Sequence, residues 1–160
     1  MVEMVGLLDG WRGGKMKIER FEELNCWKEA RKLRKMVSSV FDKSVVRRDF
    51  TLCDQIKRAA LSTMANIAEG FESRTGKENA VFLTYARRSC GELRSHLYAA
   101  IDDHLIAESD FRDIYEQAIV TGKLTTGFIN YLCKRESKRS GMVRGSDHSA
   151  IEQSNNLTKS

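Results

Sequence analysis

Proline is absent from all 160 residues. Nothing in the chain therefore removes a backbone donor or forces a kink, and long helices are favoured. No run of about 18 apolar residues exists, so no membrane-spanning helix is expected. The segment Val5-Gly6-Leu7-Leu8 is too short and lacks the basic residues before it that a signal peptide needs. The cytoplasm is the expected compartment. The four cysteines, Cys26, Cys53, Cys90 and Cys133, contain no C-x-x-C pair. They read as ordinary thiols in a reducing compartment, with Cys26 and Cys133 able to meet at one end of an antiparallel bundle. Nucleophile elbows, phosphate-cradling glycine loops and dinucleotide fingerprints are missing too, which argues against an enzyme. Aromatics make up 8% of the chain, leaving few to stack on unpaired bases.

What is present is helical periodicity. Leu24, Trp27, Ala30, Leu33, Val37, Val40 and Phe41 recur at steps of three and four, which predicts a first helix over about 21–43. Asp49 is a good N-cap for a second helix over 49–69, with Leu52, Ile56, Ala59, Ala60, Thr63 and Ile67 inward and Gly70 at the C′ position. Thr75 and Glu78 form a capping box before a third helix, 76–102, whose mid-helix Gly91 suggests a close helix contact. Ser109 is the expected cap of a fourth, 109–135, with Asp110 and Asp113 suiting its first turn. Short links between such helices favour an all-α, antiparallel up-down-up-down four-helix bundle over 18–136. Residues 1–17 read as a loose extension, with Met16 an alternative start, and the Ser-, Asn- and Gly-rich 137–160 as a disordered tail.

Charge is uneven. Lys28–Arg58 holds 10 basic and 4 acidic residues, whereas Asp102–Glu116 holds 6 acidic and 1 basic. That division suits an anionic partner or head-to-tail self-association. Candidate nucleic-acid contacts are Arg31, Lys32, Arg34, Lys35, Arg47, Arg48, Lys57, Arg58, Arg87 and Arg88, the tail basics Lys134, Arg135, Lys138 and Arg139 adding non-specific affinity. The competing reading is solvated faces with intrahelical pairs such as Glu29–Lys32 or Arg88–Glu92. Asp110 and Asp113 are candidates for a subunit interface. Asn66 is expected to hydrogen-bond to a neighbouring helix and Glu69 to pair with Arg58 or Arg74. Glu92 and His96 occur once, at Glu-x-x-x-His spacing, without the second motif a bundle metal site needs. Adjacent Asp102, Asp103 and His104 cannot converge on one ion. No metal, cofactor or small-molecule substrate is expected.

Several blocks together carry a family resemblance. They are Phe21-Glu22-Glu23-Leu24 with Trp27 and Ala30, Gln55-Ile56-Lys57-Arg58-Ala59-Ala60, Asn66-Ile67-Ala68-Glu69-Gly70, Phe82-Leu83, Ala86-Arg87-Arg88-Ser89 and Glu92-Leu93. With them, residues 18–134 resemble the four-helix-bundle family of ribosomal-RNA intervening-sequence proteins, to which the accessory variability determinant of diversity-generating retroelements looks related. The resemblance implies a left-handed bundle that assembles into a ring, typically a pentamer, with Gln55, Asn66, Glu69, Gly70 and Glu92 as structural motif positions. It implies no established biochemical activity. The function expected is a non-enzymatic ring-forming scaffold contacting RNA or an RNA-bound protein. The alternative is a purely protein-binding or self-assembling module.

Overall fold

A computed structural model describes the backbone of residues 18–41 and 48–156, with side chains through residue 138. The expectation for residues 1–17 lies outside the described part. The chain opens with a 3-10 turn, Phe21–Glu23, followed by α1, Asn25–Val40; α2, Phe50–Glu72; α3, Gly76–Asp102; and α4, Glu108–Asn156. Helix α1 packs on α2 and α4, and α3 packs on α2 and α4, so the four helices close around one core.

The end signals explain most boundaries. Asp49 Oδ1 accepts the Leu52 N–H at 2.9 Å, and Thr75 Oγ1 accepts the Glu78 N–H at 3.1 Å. Each oxygen satisfies one of the donors that a helix start leaves without a partner. Helix α3 closes on a Schellman motif. Leu105 N–H donates to Ala100 O at 2.9 Å and His104 N–H to Ile101 O at 3.0 Å. His104 takes φ 53° to permit it, and Leu105 is buried beneath.

Five expectations differ from the structure. Helix α1 begins at Asn25 and not Phe21, because buried Leu24 adopts an extended backbone (φ −65°, ψ 125°) between the 3-10 turn and the helix. Gly70 is not the C′ residue of α2, which continues to Glu72. A Cβ at Gly70 would lie 2.9 Å from Asn79 Oδ1 and 3.0 Å from Phe82 Cβ, so the glycine serves close approach of α3. Gly91 shows the reverse, with nothing within 4 Å of a Cβ built there. Ser109 lies inside α4, which starts at Glu108 and whose first turn has Phe111 N–H bonded to Ala107 O at 3.0 Å. Helical backbone also runs on to Asn156, past the end expected near 135. With no proline to stop it, the helix absorbs Gly141 and Gly145 at about 1 kcal/mol each relative to Ala.

The core has two apolar clusters. Toward the α1–α2 connection, Leu33, Val37 and Phe41 meet Ile56, Leu93, Leu97 and Ile114. Toward the α2–α3 turn, Leu24, Cys26 and Ala30 meet Ile67, Leu83, Ala86 and Leu132. Full burial of a Leu, Ile, Val or Phe side chain contributes roughly 1.5–3 kcal/mol. The core also holds fully buried Thr63, Thr121 and Thr125. Each hydroxyl donates to the carbonyl four residues back, at 2.9, 2.9 and 2.8 Å respectively, so none is left unsatisfied.

Candidate nucleic-acid interface

Helix α1 turns its apolar stripe inward and carries five cations on its outer side. Lys28, Arg31, Lys32, Arg34 and Lys35 are all exposed. At 100° per residue, these five span an arc of about 160°. The one carboxylate in the run, Glu29, falls outside that arc on the flank facing α4. Its Oε2 accepts a hydrogen bond from Gln117 Nε2 at 2.7 Å. The expected Glu29–Lys32 pair is therefore replaced by a tie to α4. No ion-pair partner for any of the five cations occurs among the described residues. Gln117 is buried on the apolar face of α4, and its amide also reaches Glu29 O at 3.3 Å. A glutamine among Ile114, Ala118 and Thr121 on a core stripe was the sequence signal for this contact, which was not among the expected ones.

Trp27 sits at the edge of the basic arc. It meets Phe21 edge-on, with centroids 5.1 Å apart, and Arg31 lies 5.8 Å above its ring. Trp27, Lys28, Arg31, Lys32, Lys35 and Glu22 line an open depression. A second depression lies between α1 and α2, lined by Arg34, Ser38, Asp54, Lys57, Arg58 and Leu61 over buried Val37. Arg58 pairs with Asp54 one turn away at 3.7 Å, rather than with Glu69.

The other expected contacts separate from this face. Arg47 lies outside the described residues. Arg48 is a structural group: Nη2 donates to His104 O at 2.8 Å and Nη1 to Leu105 O at 3.5 Å, bracing the α3–α4 connection. Arg87 and Arg88 are exposed on α3, across the bundle from α1 and on different faces of their helix. Exposed Lys134, Arg135 and Lys138 lie on α4 beyond the α1 face, and Arg135 stacks over Tyr131 at 5.6 Å. Of the family-motif positions, Gln55 and Glu69 are exposed. Glu69 has no carboxylate contact among the described residues; its carbonyl accepts from Ser73 Oγ at 3.0 Å. Asn66 Nδ2 donates within its own helix, to Ser62 O at 2.8 Å and Ser62 Oγ at 3.0 Å. Ser62 Oγ in turn lies 3.0 Å from Ser89 Oγ of α3, so the link to the neighbouring helix is indirect.

Glu92 lies 3.6 Å from His96, the partner it takes in place of Arg88. No group of three or more His, Cys, Asp or Glu side chains able to hold a metal occurs among the described residues. Asp102, Asp103, Glu108 and Asp113 are exposed and Asp110 is half-buried, at the end of the bundle away from the α2–α3 turn. Glu108 and Asp110 also favour the N-terminus of α4 electrostatically. Beside them an aromatic cluster joins α3 to α4: Tyr98, Phe111 and Tyr115, with centroids 5.1–5.6 Å apart. Arg94 Nη2 donates to Tyr115 Oη at 3.2 Å. That bond, reinforced by one with Tyr98, lowers the Tyr115 phenol pKa, while Tyr98 is raised chiefly by its bond to Tyr115. Sequence alone does not single out this cluster, which forms only when α3 and α4 pack side by side.

Cys26 and Cys133 are both free thiols, the first buried and the second exposed, and no disulfide joins them. Burial pushes the Cys26 thiol up to about 12 and raises Cys53 and Cys90 as well.

A family model described as 23S rRNA-intervening sequence protein matches residues 22–127. The chain belongs to that family. The match spans α1 to the middle of α4, including the basic α1 face, the α1–α2 depression and the Glu29–Gln117 tie. A solved structure from Bacteroides thetaiotaomicron, a protein of unknown function from the S23 ribosomal protein family, is similar with a TM-score of 0.61 at 18% identity. The similarity covers 65% of this chain and 97% of that one, and at that identity it speaks to the fold. No curated protein matches. No helix among the described residues is long and apolar enough to cross a membrane.

Proposed function

We propose that this protein is a non-enzymatic, cytoplasmic helical-bundle scaffold that binds RNA through the basic face of α1. The observation that carries the reading is the inward tie of Glu29 to Gln117 at 2.7 Å. It withdraws the only carboxylate of the Lys28–Lys35 run and leaves five exposed cations on one arc without intrahelical neutralisation. Such a face binds phosphates by charge and counterion release. Trp27 is already covered by Arg31 and Phe21, so base stacking contributes little and binding follows backbone charge more than sequence. Titrating fluorescent structured RNA at two salt concentrations tests this, with steep salt dependence expected. Affinity that survives high salt unchanged, or no affinity at low salt, would overturn it.

The scaffold is further proposed to close into a ring, a pentamer by family resemblance, through heterologous contacts. The acidic Asp102–Glu116 end of one copy then faces a basic region of the next. What supports this is that none of the six carboxylates there has an ion-pair partner among the described residues. Asp110→Lys with Asp113→Lys is expected to lower the sedimenting mass. An unchanged sedimentation profile counts against this contact, and a ring indifferent to RNA points to a purely self-assembling or protein-binding module.

A further inference from the structure

The depression between α1 and α2 has chemistry more specific than the open basic arc. Arg34 and Ser38, one turn apart on α1, face Lys57, Arg58 and Asp54 on α2, with buried Val37 as the floor and Leu61 at the rim. The open space is about 200 Å³. At ~30 Å³ per water that is the share of roughly seven waters, enough for a tetrahedral oxyanion and part of its hydration shell. Two guanidinium groups, one ammonium group and one hydroxyl supply donors from two helices, the combination that recognises a phosphate oxygen set. A lone carboxylate, Asp54, sits among them. Its contact with Arg58 is long, 3.7 Å, and both side chains are well exposed, at 43% and 72%. A pair of that kind is weak and readily exchanged for a better acceptor.

We propose that this groove seats one phosphate group of the RNA backbone, held by Arg34, Lys57 and Arg58 with Ser38 as an added donor. Asp54 is the internal competitor that occupies Arg58 when the seat is empty. The inference rests on the RNA reading above and adds to it a place and a sign. A carboxylate already in the groove opposes the incoming phosphate twice, by like charge and by holding Arg58. Its removal therefore strengthens binding while removing a native contact.

The test is fluorescence anisotropy of a labelled, mixed-structure RNA with the full chain, measured from low to moderate salt. Four proteins are compared: unaltered, Asp54→Asn, Arg34→Ala with Lys57→Ala, and Glu72→Gln. Glu72 is exposed at the end of α2, on the same side of the helix as Asp54. Eighteen residues separate the two, about 27 Å along the axis. That is well beyond the ~10 Å screening length at 0.1 M salt, so Glu72→Gln makes the same change in net charge without touching the groove. Circular dichroism melts confirm that each variant is folded. Asp54→Asn is expected to tighten binding about two- to five-fold, the range set by releasing an exposed ion pair. The slope of log affinity against log salt should change little, because the same single phosphate is seated in both proteins. Arg34→Ala with Lys57→Ala should weaken binding and flatten that slope, and Glu72→Gln should do neither.

Equal tightening by Asp54→Asn and Glu72→Gln would reduce the effect to net charge and overturn the seat. So would an Asp54→Asn protein that binds no better than the unaltered chain. Failure of the unaltered protein to bind RNA at any salt would overturn the RNA reading itself, and the seat with it. Normal binding with a silent Asp54 would overturn the seat alone.

Discussion

Two glycines in helix interiors should respond to the same substitution with opposite signs. Gly70→Ala places a Cβ 2.9 Å from Asn79 Oδ1, 3.0 Å from Phe82 Cβ and 3.2 Å from Asn79 O. One of these atoms is backbone and another is the first carbon of a side chain, so neither can swing away. Asn79 Oδ1 is buried and has no hydrogen-bond partner among the described residues, and the residue as a whole is buried. Overpacking of this kind costs typically ~1–3 kcal/mol. The helix propensity gain of Ala over Gly, about 1 kcal/mol, offsets only part of it. At Gly91 the same substitution meets nothing within 4 Å and keeps the whole gain. The two variants should therefore differ by about 2 kcal/mol, or about 4–8 °C in Tm for a chain of this size, with Gly70→Ala below the unaltered protein and Gly91→Ala above it. Thermal melts by circular dichroism at 222 nm, with urea titrations alongside, measure the difference. A Gly70→Ala protein that melts as high as Gly91→Ala would refute the close-approach account of Gly70.

Other substitutions and conditions test the remaining contacts. His104→Gly should stabilise the fold by about 1 kcal/mol, because only the φ of 53° is at stake and glycine adopts it without a Cβ penalty; a loss of stability would mean that the imidazole makes a contact of its own. Arg48→Ala should cost about 1–2 kcal/mol in urea unfolding through the lost bonds to His104 O and Leu105 O, and an unchanged midpoint would show that water replaces them freely. At pH 8 a thiol reagent should label Cys133 quickly and the three buried cysteines only on unfolding; fast labelling of Cys26 would contradict its burial. The folded Cys26 keeps its proton to about pH 12, whereas in the unfolded chain it ionises near 9. Its contribution to stability is thus intact below about pH 9 and lost as pH rises toward 12, and urea midpoints that stay flat from pH 8.5 to 10.5 in a Cys26-dependent comparison would speak against this.

The helices were legible in the sequence because their signals are local. Asp49 and Thr75 are caps that act within three residues, and the apolar stripes repeat within a turn. The misread positions depend on partners distant in the chain. Gly70 looked like a C′ glycine until α3 supplied Asn79 and Phe82 against it, and Gly91 suggested packing where the helix faces open space. The basic groups were visible as charge runs, but a run does not say which carboxylates neutralise it. Glu29 could turn to Lys32 or inward, and Gln117, 88 residues away, determines that it turns inward. Arg48 likewise reads as one more cation until the α3–α4 connection brings two carbonyls to its guanidinium. The family-motif Asn66 was expected to bridge helices directly and does so only through Ser62 and Ser89.

The most direct test of the central claim is the salt dependence of RNA binding by the full chain, followed by anisotropy from 50 to 200 mM salt. If four of the five α1 cations engage phosphates, the slope of log affinity against log salt should be about −3 on single strands and steeper on duplex. Replacing Arg31, Lys32 and Lys35 together by Gln should bring that slope close to −1. A slope near zero, or RNA binding that these three substitutions leave unchanged, would contradict the assignment of the α1 face as the RNA-binding surface.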